Sequence, residues 1–331
     1  MIKKNSSIFL FVLVLYSIFC AIQLGVTWDT FFYYELGKDR LDYLLSLGTD
    51  DSFKRVPHSK YLPGAYSTIS AFFVQFFPKK YLVESLYFLN LSFSFLTLVG
   101  TYKISKELFN KDIGRITFLL CFFNPIFFGH MAMNHNDNIL AFSNVWFFYL
   151  LLKYFKKQYE PSYRNKYIIL SGLSLGLGLG VRSSFIITIL PFFIFIFLDY
   201  IYSKSLFSKK FSNKKFSLDI LKVLGIAYFF MVLFWPQTHL NILTKPFLLT
   251  LEGLSYGFGV PFIMLNGEIY LTQQFPKNYI LTNLLYKLPE VIILSYIIFI
   301  FLFIKISKYL NNIFESFYNK ILLIVLIIIL P

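Results

Sequence analysis

Cysteine and charge are the scarcities that say most about this chain. Only two cysteines occur, Cys20 and Cys121. Both lie inside apolar runs, so there is neither a disulfide framework nor a cysteine spacing suited to a metal. Charged residues make up 15% of the 331, against 57% hydrophobic and 21% aromatic. A soluble domain carries roughly 25% charged residues, and a large soluble fold is thereby excluded. Acid is scarcer still, with 17 Asp and Glu against 31 Lys and Arg and a net charge of +14. At a mean hydropathy of +0.63, that excess reads as basic loops on one side of a membrane, and nucleic acid is not expected as a partner. A P-loop, a dinucleotide glycine fingerprint and a serine nucleophile elbow are all missing.

What remains is a series of apolar runs, several near the ~20 residues that cross a bilayer. They predict an all-α, polytopic membrane protein. Expected helices cover 8–26, 81–102, 116–133 with Asn124-Pro125 as an internal kink, 139–155, 167–181, 183–202, 220–234 and 291–306. The first run has Lys3 and Lys4 before it and no clear small-residue cleavage site, so it reads as a retained helix. Two longer polar stretches interrupt the series, 27–80 and 235–289. Within the first, Tyr61-Leu62-Pro63-Gly64-Ala65-Tyr66 opens an apolar stretch to Phe77 that is short for a span and reads as a helix lying in the interface. A last run from Ile321 stops at Pro331, and the sequence reads as a single domain lacking a C-terminal part. There is no internal repeat.

Positive charge sets the orientation. With Lys3 and Lys4 inside and Tyr61–Phe77 kept at the surface, 20 of the 31 Lys and Arg fall in inner loops. Letting Tyr61–Phe77 span inverts the later loops and loses that bias. Asp29, Asp137, Arg182 and the 235–289 stretch then share the face opposite the cytoplasm.

Asp29 sits in Trp28-Asp29-Thr30-Phe31-Phe32-Tyr33-Tyr34-Glu35, directly after the first apolar run. Acids at membrane edges are uncommon and often functional, and the surrounding aromatics suit the interfacial belt. A second acid, Asp137, follows the third run within Asn134-His135-Asn136-Asp137-Asn138. Arg182 ends a Gly-rich run, and Trp235-Pro236-Gln237-Thr238-His239 follows the seventh. An active site there could pair a carboxylate base with a cation for a phosphate leaving group. The alternative is that loop ends are polar by necessity. His58, His130, His135 and Asp137 have no spacing that fixes metal geometry. Glycines 172, 176, 178 and 180 suit close helix packing, and the Lys209-Lys210 and Lys214-Lys215 pairs suit topology signals or anionic lipid.

In this order the residues resemble the GT-C membrane glycosyltransferases, specifically the lipid-carrier-dependent group. That group includes the dolichyl-phosphate-mannose protein mannosyltransferases and the aminoarabinose transferases of lipid A. Tyr61-Leu62-Pro63-Gly64-Ala65-Tyr66 is similar to that group's His-Pro-Pro-Leu-Tyr element, without the histidine and one proline. Gly176-Leu177-Gly178-Leu179-Gly180-Val181-Arg182 resembles a segment that usually ends in Lys. Phe234-Trp235-Pro236, Asn266-Gly267 and Lys287-Leu288-Pro289 resemble a late outer loop. An Asp-Glu pair is common after the first helix; here Asp29 precedes Thr30.

The resemblance implies a bundle of about eight to nine transmembrane helices, multi-pass in a bacterial cytoplasmic membrane or the endoplasmic reticulum, with its site facing away from the cytoplasm. It implies a polyprenyl-phosphate-linked sugar as donor and a hydroxyl of a glycan, lipid or protein as acceptor. Asp29 and Asp137 are then the catalytic candidates. Arg182, His135, Asn136, Trp235, His239, Lys60 and Tyr61 are candidates for contact with donor phosphate or substrate, and Lys245 is a further one. No cofactor is required by any motif, and a divalent metal stays open. A transporter or flippase of lipid-linked sugars, or a non-catalytic membrane subunit, is the alternative; a transporter calls for charge at mid-helix or related halves.

Overall fold

The structure is a computed structural model that describes residues 2–202, 213–255, 262–271, 274, 276–298 and 301. Its described part is a helical bundle whose spine is formed by α4 (Leu82–Leu108), α7 (Asp137–Lys157), α8 (Pro161–Val181) and α10 (Asn213–Leu233), each against the next. Glycine sets the tightest of these contacts. A Cβ placed on Gly172 would lie 2.7 Å from the Cβ of Ile226, and one on Gly180 would lie 2.6 Å from the Cβ of Ala65. Only a residue without a side chain lets α8 approach both α10 and α3 (Ala65–Val74) that closely.

Phe147, Leu151, Ile168, Leu175, Phe185, Ile189 and Val223 form one buried cluster among α7, α8, α9 (Phe185–Tyr202) and α10. A second joins α1 (Ile2–Ile22), α4 and α5 (Lys111–Phe122) through Leu13, Tyr87, Leu91, Leu98 and Phe122. Much of the remaining apolar surface faces outward, including Phe11, Phe19, Ile187, Phe197 and Phe229. Such exposure suits lipid rather than water.

Three helices are long and apolar enough to cross a membrane among the described residues: Lys79–Leu108, Asp137–Lys157 and Lys214–Leu233. The pair Tyr279–Lys287 and Glu290–Ile298, bent by 108°, adds a fourth if counted as one span. The run expected at 116–133 is not one kinked helix. It divides into α5 and the short α6 (Pro125–His130), because Asn124 accepts from the backbone N–H groups of Ile126 and Phe127 at 3.0 and 3.2 Å and Pro125 supplies the first turn. An Asn cap before a Pro at the first helical position starts a helix rather than bending one.

The 27–80 stretch is more ordered than its polarity suggests. Trp28–Leu45 forms α2, and after two short 3-10 turns Ala65–Val74 forms α3. At ten residues, α3 is about 15 Å long and cannot cross by itself. Its Ala65, Tyr66, Ser67, Thr68, Ser70 and Ala71 are buried.

Arg40 on α2 is 2% exposed. It donates to Leu62 O at 2.6 Å, Ser59 O at 3.1 Å and Ser67 Oγ at 3.3 Å. Burial pulls its guanidinium down to about 10, still charged at neutral pH. Gly64 makes room for it, since a Cβ there would stand 2.3 Å from Arg40 Cδ.

The 235–289 stretch contains a 3-10 turn (Pro236–Asn241), α11 (Lys245–Ser255), a hairpin and α12 (Tyr279–Lys287). In the hairpin, β1 (Phe262–Leu265) pairs antiparallel with β2 (Glu268–Leu271) across Asn266-Gly267, both with positive φ. Asn-Gly suits the I′ turn that matches strand twist. The all-α expectation is corrected by this hairpin, while the rest of the described chain is mostly helical. The Lys209-Lys210 pair, the 299–306 end of the expected last helix other than residue 301, the run from Ile321 and the His58 side chain lie outside the described residues.

Candidate active site

The two ends of the bundle differ in chemistry. At one end, Glu107 on α4 pairs with Lys153 and Lys156 on α7, each at 2.7 Å. There Asp219 on α10 accepts from Tyr154 at 3.0 Å and lies 3.4 Å from Arg164 Nε. At the other end, α1, α6 and α8 finish while α2 and α7 begin, and a cleft of about 200 Å³ opens among them. Asp29, Tyr33, Asn134, Asn136, Asp137 and Arg182 line it.

The local sequence explains how each charged group reaches this cleft. Asp29 does not end the first helix. The chain breaks at 23–27 and Asp29 occupies the first turn of α2, while Asp137 occupies the first turn of α7. A carboxylate suits that end of a helix, where free N–H groups and the dipole present positive charge. Asn134 fixes the second acid, donating to Asp137 Oδ2 and accepting from the Asp137 backbone N–H, both at 3.0 Å.

Arg182 follows α8, and its Nη2 stands 3.6 Å from Asp137 Oδ1. Both side chains are about half exposed, so the pair itself adds little stability. Arg182 also lines the cleft. Between the two acids, half-buried Tyr33 is held above the usual phenol value by burial first and then by Asp29.

Beneath the cleft lies a buried polar chain. His135 is 4% exposed and Asn90, on the spanning helix α4, is fully buried. The Asn90 amide donates to Ala132 O at 2.8 Å and faces His135 Nδ1 at 3.2 Å, while Tyr66 donates its hydroxyl to the Asn90 oxygen. With Nδ1 accepting, the proton belongs on Nε2, which points at Thr30 Oγ1 3.5 Å away. Thr30 meets Thr27 Oγ1 at 2.7 Å, and the Tyr87 hydroxyl donates to Gly25 O at 2.9 Å and accepts from Thr27 N–H at 3.2 Å. Burial pushes His135 down to about 4, so it is neutral at pH 7. Its neighbours in the chain carry the turn to Asp137, and Thr30 adjoins Asp29, so one buried histidine stands between both acid-bearing turns.

The other candidates stand elsewhere. Trp235 is fully buried among Met231, Val232 and Leu249, and its indole N–H donates to Lys60 O at 2.9 Å. His239 is held between the Tyr43 hydroxyl at 3.0 Å and Val232 O at 2.9 Å. Lys60 lies 3.5 Å from Glu252 and 4.7 Å from the Tyr61 ring centroid. Lys245 opens α11. None of these residues lines the cleft.

Two residues the sequence reading passed over, Tyr33 and Asn90, belong to the cleft and its support. Tyr33 stood four residues after Asp29, on the same helical face, and Asn90 was a lone amide in an apolar run, itself a functional signal. No group of three or more His, Cys, Asp or Glu placed to hold a metal occurs among the described residues.

Two carboxylates and a guanidinium thus meet in one cleft at one end of an apolar helical bundle. Residues 65–235, just over half of the chain, match the model of the dolichyl-phosphate-mannose-protein mannosyltransferase family, and the chain belongs to that family. It is a membrane glycosyltransferase of the mannosyltransferase type. The matched segment includes Asp137 and Arg182 and begins after Asp29. No curated protein and no solved structure matches the chain.

Proposed function

We propose that this protein transfers a sugar from a polyprenyl-phosphate carrier to an acceptor hydroxyl at the non-cytoplasmic face of the membrane. The observation that carries this reading is that Asp29, Asp137 and Arg182, brought from distant parts of the chain, line one cleft. Asp29 takes the proton of the acceptor hydroxyl as its oxygen attacks the anomeric carbon. The bond from that carbon to the phosphate oxygen breaks, and the electron pair leaves with the carrier phosphate. Arg182 meets this growing charge; a guanidinium binds phosphate through two donors and stays charged throughout. Asp137, already 3.6 Å from Arg182, aims that guanidinium and positions the donor sugar.

Orientation rests on charge. Lys103, Lys106, Lys153, Lys156 and Arg164 gather at or near the end of the bundle away from the cleft, as a cytoplasmic surface should. In this arrangement α1, α5 with α6, α8 and α9 join the three clear spans, approaching the eight to nine crossings of a GT-C bundle. Helices α2 and α3 form a layer at the outer interface, where exposed Trp28, Phe31 and Phe32 of α2 meet headgroups.

The test is transfer from a panel of labelled polyprenyl-phosphate sugars by purified wild-type protein and by Asp29→Asn at matched folding. Turnover of one donor by the wild type, absent from the variant, supports the reading. No turnover of any donor by folded protein in bilayers rejects it.

A further inference from the structure

The cleft is short of positive charge for the reaction assigned to it. Asp29 and Asp137 line it against a single arginine or lysine, Arg182, and that guanidinium is already shared with Asp137 at 3.6 Å. A carrier phosphodiester brings one negative charge. Once the sugar has left, the phosphate is a monoester, and its second ionisation at about pH 6 raises that charge to nearly two.

A second guanidinium stands behind one wall of the cleft. Arg40, Tyr66, Ser67 and Val181 border a pocket of about 10 Å³, room for one water molecule. Tyr33 and Asn136 complete its lining, and both also line the cleft, so they form the partition between the two. On the cleft side, Tyr33 lies within the fields of Asp29, Arg182 and Asp137.

Arg40 is a costly charge to bury. Its hydrogen bonds go to the carbonyls of Ser59 and Leu62 and to Ser67 Oγ, all neutral. Asp39, beside it in the chain, supports it through its field, but that carboxylate turns to Arg55 at 3.8 Å. No ion pair of Arg40 with a carboxylate occurs among the described residues. A desolvated charge without an ion partner costs stability, and tying the 59–67 turn to α2 needs donors, not a charge.

We propose that Arg40 is the second cation of the site, holding the departing phosphate from behind Tyr33 and Asn136 as that group gains its second negative charge. The inference rests on the transferase reading above. Arg40 acts across the partition without touching the substrate, in an interior where fields are poorly screened. Arg182 serves donor and product alike, while Arg40 adds stabilisation that grows as the bond breaks.

The experiment uses the full chain in phosphatidylcholine nanodiscs and two lipids with the same tail, polyprenyl phosphate and its methyl diester. At pH 7 the first carries about −1.5 to −2 and the second one negative charge. Competition against a fluorescent polyprenyl phosphate gives Kd for each. The methyl group's own effect is common to every variant and cancels in the comparison. A unit charge about 10 Å from an anion, at a protein's effective dielectric, is worth about tenfold. Arg40→Met should therefore cut the preference for the monoester by about tenfold, and Arg40→Lys should retain part of it. Ser67→Asp tests the charge with Arg40 in place. It sets a carboxylate where the hydroxyl now stands 3.3 Å from Arg40 Nη1, leaves the two carbonyl contacts, and should cut the preference as Arg40→Met does.

An unchanged preference in either folded variant, with both lipids weakened equally, means that Arg40 only ties the turn to α2 and overturns the proposal. Should Arg40→Met fail to fold, Ser67→Asp decides alone. Release of polyprenyl phosphate from a labelled sugar donor is followed in the same discs. If the preference responds as expected while the wild type turns over no donor, the leaving-group role falls with the transferase reading and a phosphate-binding site remains.

Discussion

Replacing Asn90 with leucine isolates what the buried chain beneath the cleft does. The side chains are close in volume, so the packing of α4 changes little. Three groups lose a partner: the Ala132 carbonyl, His135 Nδ1 and the Tyr66 hydroxyl. Hydrogen bonds between membrane helices are worth about 0.6–1.7 kcal/mol each. Three of them put the destabilisation at about 2–5 kcal/mol, with relaxation of the freed groups favouring the lower end. The chemical consequence exceeds the thermal one. Without Asn90 the ring of His135 loses the partner at Nδ1, and the 131–137 segment loses its Asn90 ties to α4, while Ser94 Oγ still donates to Met131 O at 2.8 Å. Asp137 then drifts relative to Asp29, and displacement of a reacting group by about 1 Å costs up to ~100-fold in rate. Donor affinity, which depends on Arg182, should change far less. Unfolding in detergent followed by tryptophan fluorescence, with kcat and KM for donor measured separately, reads both effects. Asn90→Leu protein with wild-type melting and wild-type kcat would refute the reasoning.

Acid stability should report the same histidine. Its folded value, about 4, lies below the usual 6.5. As pH falls the unfolded chain takes up the proton first. The stabilisation is therefore complete above pH ~6.5 and drains away toward pH 4, about 3 kcal/mol in all. His135→Gln should flatten that slope in a pH series of denaturation curves. Arg182→Ala should raise KM for the donor about 10–100-fold, the worth of hydrogen bonds to a charged group, and Arg182→Lys should restore only part. Gly64→Ala should destabilise by about 1–3 kcal/mol, because its methyl group meets the Arg40 side chain. Gly172→Leu should do as much by forcing α8 from α10, measured as a fall in the melting temperature.

The long helices were readable because lipid-facing and buried positions are both apolar, so a span shows as an unbroken run. That is why the cores of α4, α7, α8, α9 and α10 lie within the runs read from the sequence. The same logic hid α2. Its buried residues are Thr30, Leu36, Gly37, Asp39, Arg40 and Leu41, and the charged pair Asp39 and Arg40 interrupts any apolar run. Asn124-Pro125 reads as a kink because apolar residues continue on both sides, although an Asn before a Pro is itself a start signal. The Asn266-Gly267 hairpin carried its signature openly, apolar strands on both sides of the favoured turn.

At the site, the acids and Arg182 stood out as charges at the edges of apolar runs. What sequence cannot give is which polar group faces which. Trp235 and His239 lie at the same helix ends as the cleft residues. The structure turns Trp235 into the core and engages His239 with Tyr43 and Val232. Asn90 and Tyr66, in apolar surroundings, are the ones that reach beneath the acid-bearing turns.

The central claim is that Asp29 does chemistry at a site where Arg182 holds the carrier phosphate. The most direct measurement is a paired binding and single-turnover experiment with one labelled polyprenyl-phosphate sugar, run on wild type, Asp29→Asn and Arg182→Ala. The account predicts that Asp29→Asn binds the donor within about twofold of wild type and does not transfer, while Arg182→Ala loses binding by at least about tenfold. Equal loss of binding in both variants, or transfer by folded Asp29→Asn at the wild-type rate, would contradict it.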